Sequence, residues 1–287
     1  MTLPNFIIIG AYKSGTTSLY HYLRQHPDVF MPVLKEPNFF AHERKKELLK
    51  SEDRNEIVID KLDDYRRLFD DVSTEKAIGE ASPLYLGTEL AAQRIWESIP
   101  TVKLIAILRE HSDAFYSDHK MRIRDKRKLE GDLWKRFEQM KRRIESGENA
   151  GPLYGQHLKR YYERFDPSQI RVFLYEDLIN DGPEVLRQIF AFLGVDESFT
   201  LDTSKRHNPG GIPKNDRFDR LLKRLIKSRK MVRIPLMKNL LQRIQHQNLE
   251  PVPPFPAELR NAFVKLFYDD TKQLESLINR DLSAWLK

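Results

Sequence analysis

Apolar residues fall along the chain either in short unbroken runs or in stripes spaced by three and four. Phe6-Ile7-Ile8-Ile9 and Lys103-Leu-Ile-Ala-Ile-Leu108 are unbroken runs, the pattern of strands buried on both faces of a parallel sheet. The second is the most hydrophobic and is expected at the sheet centre. Val29-Phe30-Met31, Lys76-Ala-Ile-Gly79 and Ile170-Arg-Val-Phe-Leu174 read as further strands. Helical stripes lie between them. Thr16 to Gln25 carries Leu19, Tyr22 and Leu23 on one face and is closed by Pro27. Leu90 to Ile99 places Ala91, Ile95 and Ile99 at i, i+4 spacing before Pro100. Ser112 to Arg124 has Ser112 as its expected N-cap, with Asp113 in the first turn. Arg122 to Arg143 is an amphipathic stripe of Leu129, Leu133, Trp134, Phe137 and Met140. Tyr154 to Phe165, Pro183 to Leu193 (capped by Gly194) and Ala257 to Leu277 complete the set, with Trp285 anchoring the tail. Strands alternating with helices predict an α/β fold: three layers, with a central parallel sheet flanked by helices.

Charge modifies this picture in two places. Glu43 to Arg67 is charge-rich, with Leu48-Leu49, Ile57 and Leu62 as sparse anchors, and predicts exposed helices forming a lid or substrate rim. Residues 214–243 hold eleven Lys or Arg against two acids, around an apolar stripe of Leu221, Leu222, Leu225 and Ile226. That segment reads as a surface helix pair, or as a contact for a polyanionic acceptor or an acidic peripheral membrane surface. The chain therefore reads as one domain, 1–287, with a basic helical insertion at about 214–250. With 287 residues and net charge +7, the composition favours an anionic ligand. There is no cysteine, which excludes disulfides and thiolate metal sites, and the eight histidines show no metal-ligand spacing. No signal peptide or membrane-spanning run is predicted, and the expected setting is cytoplasmic.

The chemistry concentrates in Gly10-Ala-Tyr-Lys-Ser-Gly-Thr-Thr17. A strand, a loop with two glycines and a helix N-terminus form a phosphate cradle, in which backbone N–H groups and the positive dipole end converge on an anion. The two glycines stand five apart, as in a Walker A loop, but Thr16 occupies the lysine position and the lysine has moved to Lys13. The strand at 103–108 ends in Arg109 where a Walker B loop would place an aspartate. An anion neutralised by Lys and Arg fits these residues better than a metal–nucleotide site.

Tyr12-Lys13-Ser14-Gly15-Thr16-Thr17 resembles the 5′-phosphosulfate loop of sulfotransferases that use 3′-phosphoadenosine-5′-phosphosulfate (PAPS). Lys35-Glu-Pro-Asn-Phe-Phe40 resembles the segment carrying the catalytic base in the Golgi-type and bacterial branches of that family. Gly79-Glu-Ala-Ser-Pro-Leu-Tyr85 resembles its next strand and substrate-facing turn. Leu108-Arg109 with Ser117 resembles its 3′-phosphate site. The resemblance runs from Phe6 to about Leu193 and implies the family's P-loop-like α/β fold. It also implies sulfuryl transfer from PAPS to an acceptor such as a glycan, lipid, small alcohol or amine, without a metal. Two positions depart from the common pattern: His111 stands where proline is frequent, and Ala114 where arginine is frequent.

On this reading Ser14, Gly15, Thr16 and Thr17 hold the 5′-phosphate, and Lys13 neutralises the departing bridging oxygen. Arg109 and Ser117 take the 3′-phosphate; the alternative for Arg109 is a salt bridge to Glu80 or Glu110. Glu36 is the expected general base, with nearby aromatics desolvating it and raising its pKa. Glu80 is the competing base, with Ser82 and Tyr85 beside it as possible substrate contacts. A loop at 205–214 offers Arg206, Gly210, Gly211 and Lys214 to the nucleotide. Competing functions are a P-loop kinase or NTPase, and a non-catalytic binder of nucleic acid or other polyanions through 214–243.

Overall fold

The computed structural model describes residues 2–51, 57–124, 133–148, 151–201, 212–214, 218, 221–222, 241, 244, 248–250 and 254–287. Five strands form one all-parallel sheet: β1 (Phe6–Gly10), β2 (Val29–Phe30), β3 (Ala77–Ala81), β4 (Lys103–Leu108) and β5 (Ile170–Leu174). Their order is β2-β3-β1-β4-β5. The middle place goes to β1, with the more hydrophobic β4 beside it. The described helices are α1 (Thr16–Leu23), α2 (His42–Ser51), α3 (Leu62–Arg67), α4 (Leu84–Gly87), α5 (Ala91–Ser98), α6 (His111–Arg124), α7 (Leu133–Glu145), α8 (Tyr154–Tyr162), α9 (Tyr175–Asn180), α10 (Gly182–Leu193) and α11 (Ala257–Ile278).

The unbroken apolar runs exist because the central strands are covered on both sides. In β1, Ile7 and Ile9 enter one core with Leu104, Ala106 and Leu108 of β4. Phe6 and Ile8 enter the opposite core with Ile105 and Ile107. The first core is roofed by residues of α5, α8 and α11, the second by residues of α1 and α10. Because β3 lies on one side of β1 and β4 on the other, the strand order reverses at β1. A reversal of this kind is where a crevice is expected at the carboxyl ends, the usual ligand position in such sheets.

Two expectations change. Glu110, rather than Ser112, caps α6: its carboxylate accepts from the backbone N–H of Ser112 (2.8 Å) and of Asp113 (2.9 Å). The extra methylenes let the acid reach both free amides from one residue before the helix. In the 43–67 segment, Leu49 (7%) is a buried anchor as expected, Ile57 is 79% exposed, and Ile59 (6%) and Tyr65 (0%) are the further anchors. Tyr65 buries the largest side chain of the three. Of the stripe predicted over 122–143, Leu133, Trp134, Phe137 and Met140 lie on α7, and Leu129 lies outside the described residues. Among the described residues no helix is long and apolar enough to cross a membrane.

Most of 214–243 also lies outside the described residues, but the two ends of the wider segment 214–250 do not. Ile212–Pro213 (β6) pairs antiparallel with Leu249–Glu250 (β7), and Lys214 N–H donates to the Asn248 carbonyl at 2.7 Å.

Candidate active site

The strand ends that line the crevice are joined by backbone hydrogen bonds. Ala11 N–H reaches the Ile107 carbonyl (2.7 Å), Ser82 N–H reaches that of Ile8 (3.0 Å), and Glu36 N–H reaches that of Ala81 (3.2 Å). The loop after β1, the Glu36 segment after β2, the Ser82 turn after β3 and Arg109 after β4 therefore share one rim.

The β1 loop enters α1 through Gly15, whose φ of 93° is left-handed. A Cβ there would lie 2.9 Å from Tyr175 Cδ2, so both backbone angle and space require glycine. Ser14 is fully buried. Its Oγ and the Tyr154 hydroxyl approach each other, but neither completes a well-formed hydrogen bond. A buried hydroxyl left this way, at the start of a helix with no side-chain cap, is a place for an external acceptor. Lys13 also has positive φ (65°), and its Nζ lies 3.2 Å from Met121 Sδ on α6.

Arg109 is brought to the same end by register. Leu108 pairs with Leu174, so the residues that follow, Arg109 and Tyr175, emerge side by side. The guanidinium carbon stands 4.4 Å from the Tyr175 ring centroid. The tyrosine that packs on Gly15 thus also carries Arg109. The alternative ion pairs for Arg109 are not formed. Glu80 is bound elsewhere, and Glu110 accepts from Arg260 at 3.0 Å. Among the described residues the acid within ion-pair reach is Asp113 at 3.9 Å, itself bonded to Arg260 at 2.8 Å, and Arg109 Nε is buried without a hydrogen bond. Lys120 adds a second cation: burial, then the Arg109 charge, holds its amine below the usual lysine range. Ser117 sits half-buried on the same helix. Neighbouring cations with incomplete anionic pairing in a part-desolvated position suit a phosphate.

Glu36 lies at φ 60° with Asn38 at φ 55°, and its carboxylate pairs with Lys35. The aromatic shell expected around Glu36 closes around Glu80 instead. Phe39 stacks on Tyr65 at 4.6 Å, and Phe40 packs against Tyr65 and Tyr85. Glu80, Ser82 and Tyr85 are each 0% exposed, so the competing base and its companions present no atom to an acceptor here. Strand pleat explains this: Ile78 and Glu80 share the face that α3 and α4 cover. Complete burial pushes the Glu80 carboxyl up to about 7, against hydrogen bonds from Tyr85, Ser82 and Tyr65 that pull it down. Arg206, Gly210 and Gly211 lie outside the described residues. Lys214 is exposed, at the ribbon of β6 and β7. Sequence reasoning missed Tyr175 and Lys120. The pairing of β4 with β5 would have pointed to the first; the second was hidden among the many charges of α6.

Fold and site together define an α/β protein with an anion cradle at the switch point of its sheet. Residues 3–230 match the family described as Sulfotransferase domain, and the chain belongs to that family, a class of transferases that move a sulfuryl group. A sulfotransferase from Alicyclobacillus acidocaldarius has the same fold, with a TM-score of 0.71 and 30% identity over 100% of both chains. The membrane-associated sulfotransferase kil1 of Dictyostelium discoideum is 32% identical over 126 residues, covering 43% of this chain and 24% of its own. Heparan sulfate glucosamine 3-O-sulfotransferase 3B1 of Mus musculus is 29% identical over 206 residues, 69% of this chain and 48% of its own. The chain thus spans from about a quarter to about half of these curated relatives.

Proposed function

We propose that this protein transfers the sulfuryl group of PAPS to a hydroxyl or amine of an acceptor. The observation that carries the reading is the convergence on one crevice of the Ser14–Thr17 cradle, with its unsatisfied buried hydroxyl, and the incompletely paired Arg109. A Cβ-free Gly15 and two neighbouring cations fit a nucleotide carrying phosphates at both ends. PAPS supplies the activated sulfuryl group. The backbone amides of Ser14 to Thr17 hold its 5′-phosphate, and Arg109, Ser117 and Lys120 take the 3′-phosphate. Lys13 neutralises the charge that collects on the departing 5′-phosphate oxygen as the S–O bond breaks. Glu36 accepts the acceptor's proton as the new bond to sulfur forms. Among the residues first considered for that step, Glu36 is preferred over Glu80 because its side chain keeps 39% exposure.

The test compares Lys13→Ala with Glu36→Gln, using labelled PAPS and a panel of n-alcohols, phenols and N-deacetylated heparosan. Lys13→Ala should slow transfer to every acceptor by a similar factor, roughly 10²–10³. Glu36→Gln should cost about 10²–10⁴ with alcohols and much less with acidic phenols, which are partly ionised already. Parental rates for Glu36→Gln on an alcohol would remove it as the base. The same reading treats 1–287 as one domain with the basic segment as an insertion, supported by the ribbon that joins its ends.

A further inference from the structure

We propose that Glu80 is a positioning residue for Glu36, fixing the Glu36–Phe40 segment over the crevice through Ser82 and Tyr85. The inference rests on the reading of Glu36 as the base. A carboxylic acid with no exposed surface in the first core is expensive, and an apolar side chain would fill that place more comfortably. What the acid provides is a hub. Tyr65 Oη donates to Glu80 Oε1 at 3.2 Å, and Ser82 Oγ donates to Oε2 at 2.7 Å. Ser82 Oγ in turn accepts from Asn38 N–H at 3.0 Å. Tyr85 Oη accepts from Phe40 N–H at 3.4 Å and reaches the same carboxylate. The groups facing Glu80 are thus Tyr65 of α3, Tyr85 of α4, Ser82 of its own strand end and, at longer range, Glu36.

The segment needs such fastening. Glu36 and Asn38 both hold left-handed backbone angles, which side-chain-bearing residues adopt only when the surroundings enforce them. Three ties enforce them here: Glu36 N–H to Ala81, Asn38 N–H to Ser82, and Phe40 N–H to Tyr85. Glu80 organises two of the three, because it orients both hydroxyls. With its lone pairs taken up as acceptors, the Ser82 and Tyr85 oxygens remain turned to receive the amides.

Hydrogen exchange of backbone amides decides the point in Glu80→Gln and Ser82→Ala. The amides of Asn38 and Phe40 in Glu80→Gln, and that of Asn38 in Ser82→Ala, should exchange about tenfold faster, consistent with loss of one such hydrogen bond. Amides of Ser14 to Thr17 should be unchanged, as should the affinity for 3′-phosphoadenosine-5′-phosphate (PAP). With labelled PAPS and N-deacetylated heparosan, kcat should fall in Glu80→Gln, with no further fall when the same change is made in Glu36→Gln. Unchanged exchange at Asn38 would overturn the proposal, as would an equal rate loss in both backgrounds. If Glu80→Gln does not fold, Ser82→Ala, which keeps the acid in place, carries the test. A fully active Glu36→Gln would remove the base reading alone, and the exchange result would still decide whether Glu80 anchors the segment.

Discussion

Replacing Gly15 with alanine isolates one contact of the anion cradle, because every backbone N–H survives the change. Two penalties follow from the structure. The φ of 93° places an alanine in the left-handed region, at about 1–2 kcal/mol. The new Cβ would also lie 2.9 Å from Tyr175 Cδ2 and 3.1 Å from Cε2, an overpacking of the kind that costs about 1–3 kcal/mol. Together these are roughly 2–5 kcal/mol, a large share of the ~5–15 kcal/mol that holds a typical domain together. The ring can relieve the contact only by moving, and it carries Arg109 at 4.4 Å, a contact worth roughly 0.5–2 kcal/mol. Gly15→Ala should therefore lower the urea midpoint and weaken PAP binding, although no ligand-facing donor has been removed. A second background separates the two penalties. In Tyr175→Leu the steric part should shrink, leaving the backbone part of about 1–2 kcal/mol. Urea unfolding and titration calorimetry with PAP, on all four proteins, supply the numbers. The reasoning fails if Gly15→Ala costs the same with and without the ring, or if PAP binds the variant as it binds the parent.

Other expectations follow from the same geometry. Arg109→Ala should erase most of the preference for PAP over AMP, at roughly 2–5 kcal/mol for a charged contact in a desolvated site; equal loss for both nucleotides by calorimetry would refute the assignment. Burial lowers His111 and His157 from 6.5 to about 3, so the fold favours their neutral forms and loses stability as pH falls below 6.5. Between pH 6.5 and 5 each accounts for about 2 kcal/mol of that loss. Glu80 runs the other way: raised from 4.5 to about 7, it contributes stability that is full below 4.5 and is lost as pH rises through 7. Glu80→Gln should thus steepen the acid-side decline in urea midpoint, and an unchanged pH profile would count against its burial as an acid. Charge reversal at Lys223, Arg224 and Lys227 should raise KM for a polyanionic acceptor at low salt and leave PAP affinity alone; identical KM values would make the segment an ordinary basic surface.

Much of this was legible in the residue pattern, for reasons that differ by element. The unbroken runs at 6–9 and 103–108 showed burial on two faces, and burial on two faces requires crossover helices. The Gly10–Thr17 loop was legible because phosphate cradles depend on backbone, and glycine reports backbone. Glu80 was misjudged because residues after a strand were assumed to face the crevice. Strand pleat instead turned it inward, under Tyr65, an aromatic arriving from the charge-rich segment that had been taken as rim. Tyr175 escaped notice because its role depends on strand neighbours, and the neighbour of β4 is set by topology rather than by any local signal. The Ser112 cap was a local rule overridden by a longer side chain two residues earlier.

The ribbon of β6 and β7 has a bearing on diversification. It clasps the chain so that residue 214 and residue 248 are hydrogen-bonded neighbours, and whatever lies between leaves and returns through one narrow neck. For such a neck the closure entropy grows only with the logarithm of the intervening length, about 0.6 kcal/mol for each doubling. A change in the length of the segment therefore costs little in closure entropy, whereas Leu222 within it is buried and ties part of it to the rest of the chain. On the reading of the basic segment as an acceptor contact, exchange of the residues between 214 and 248 should change acceptor KM and leave PAP affinity alone.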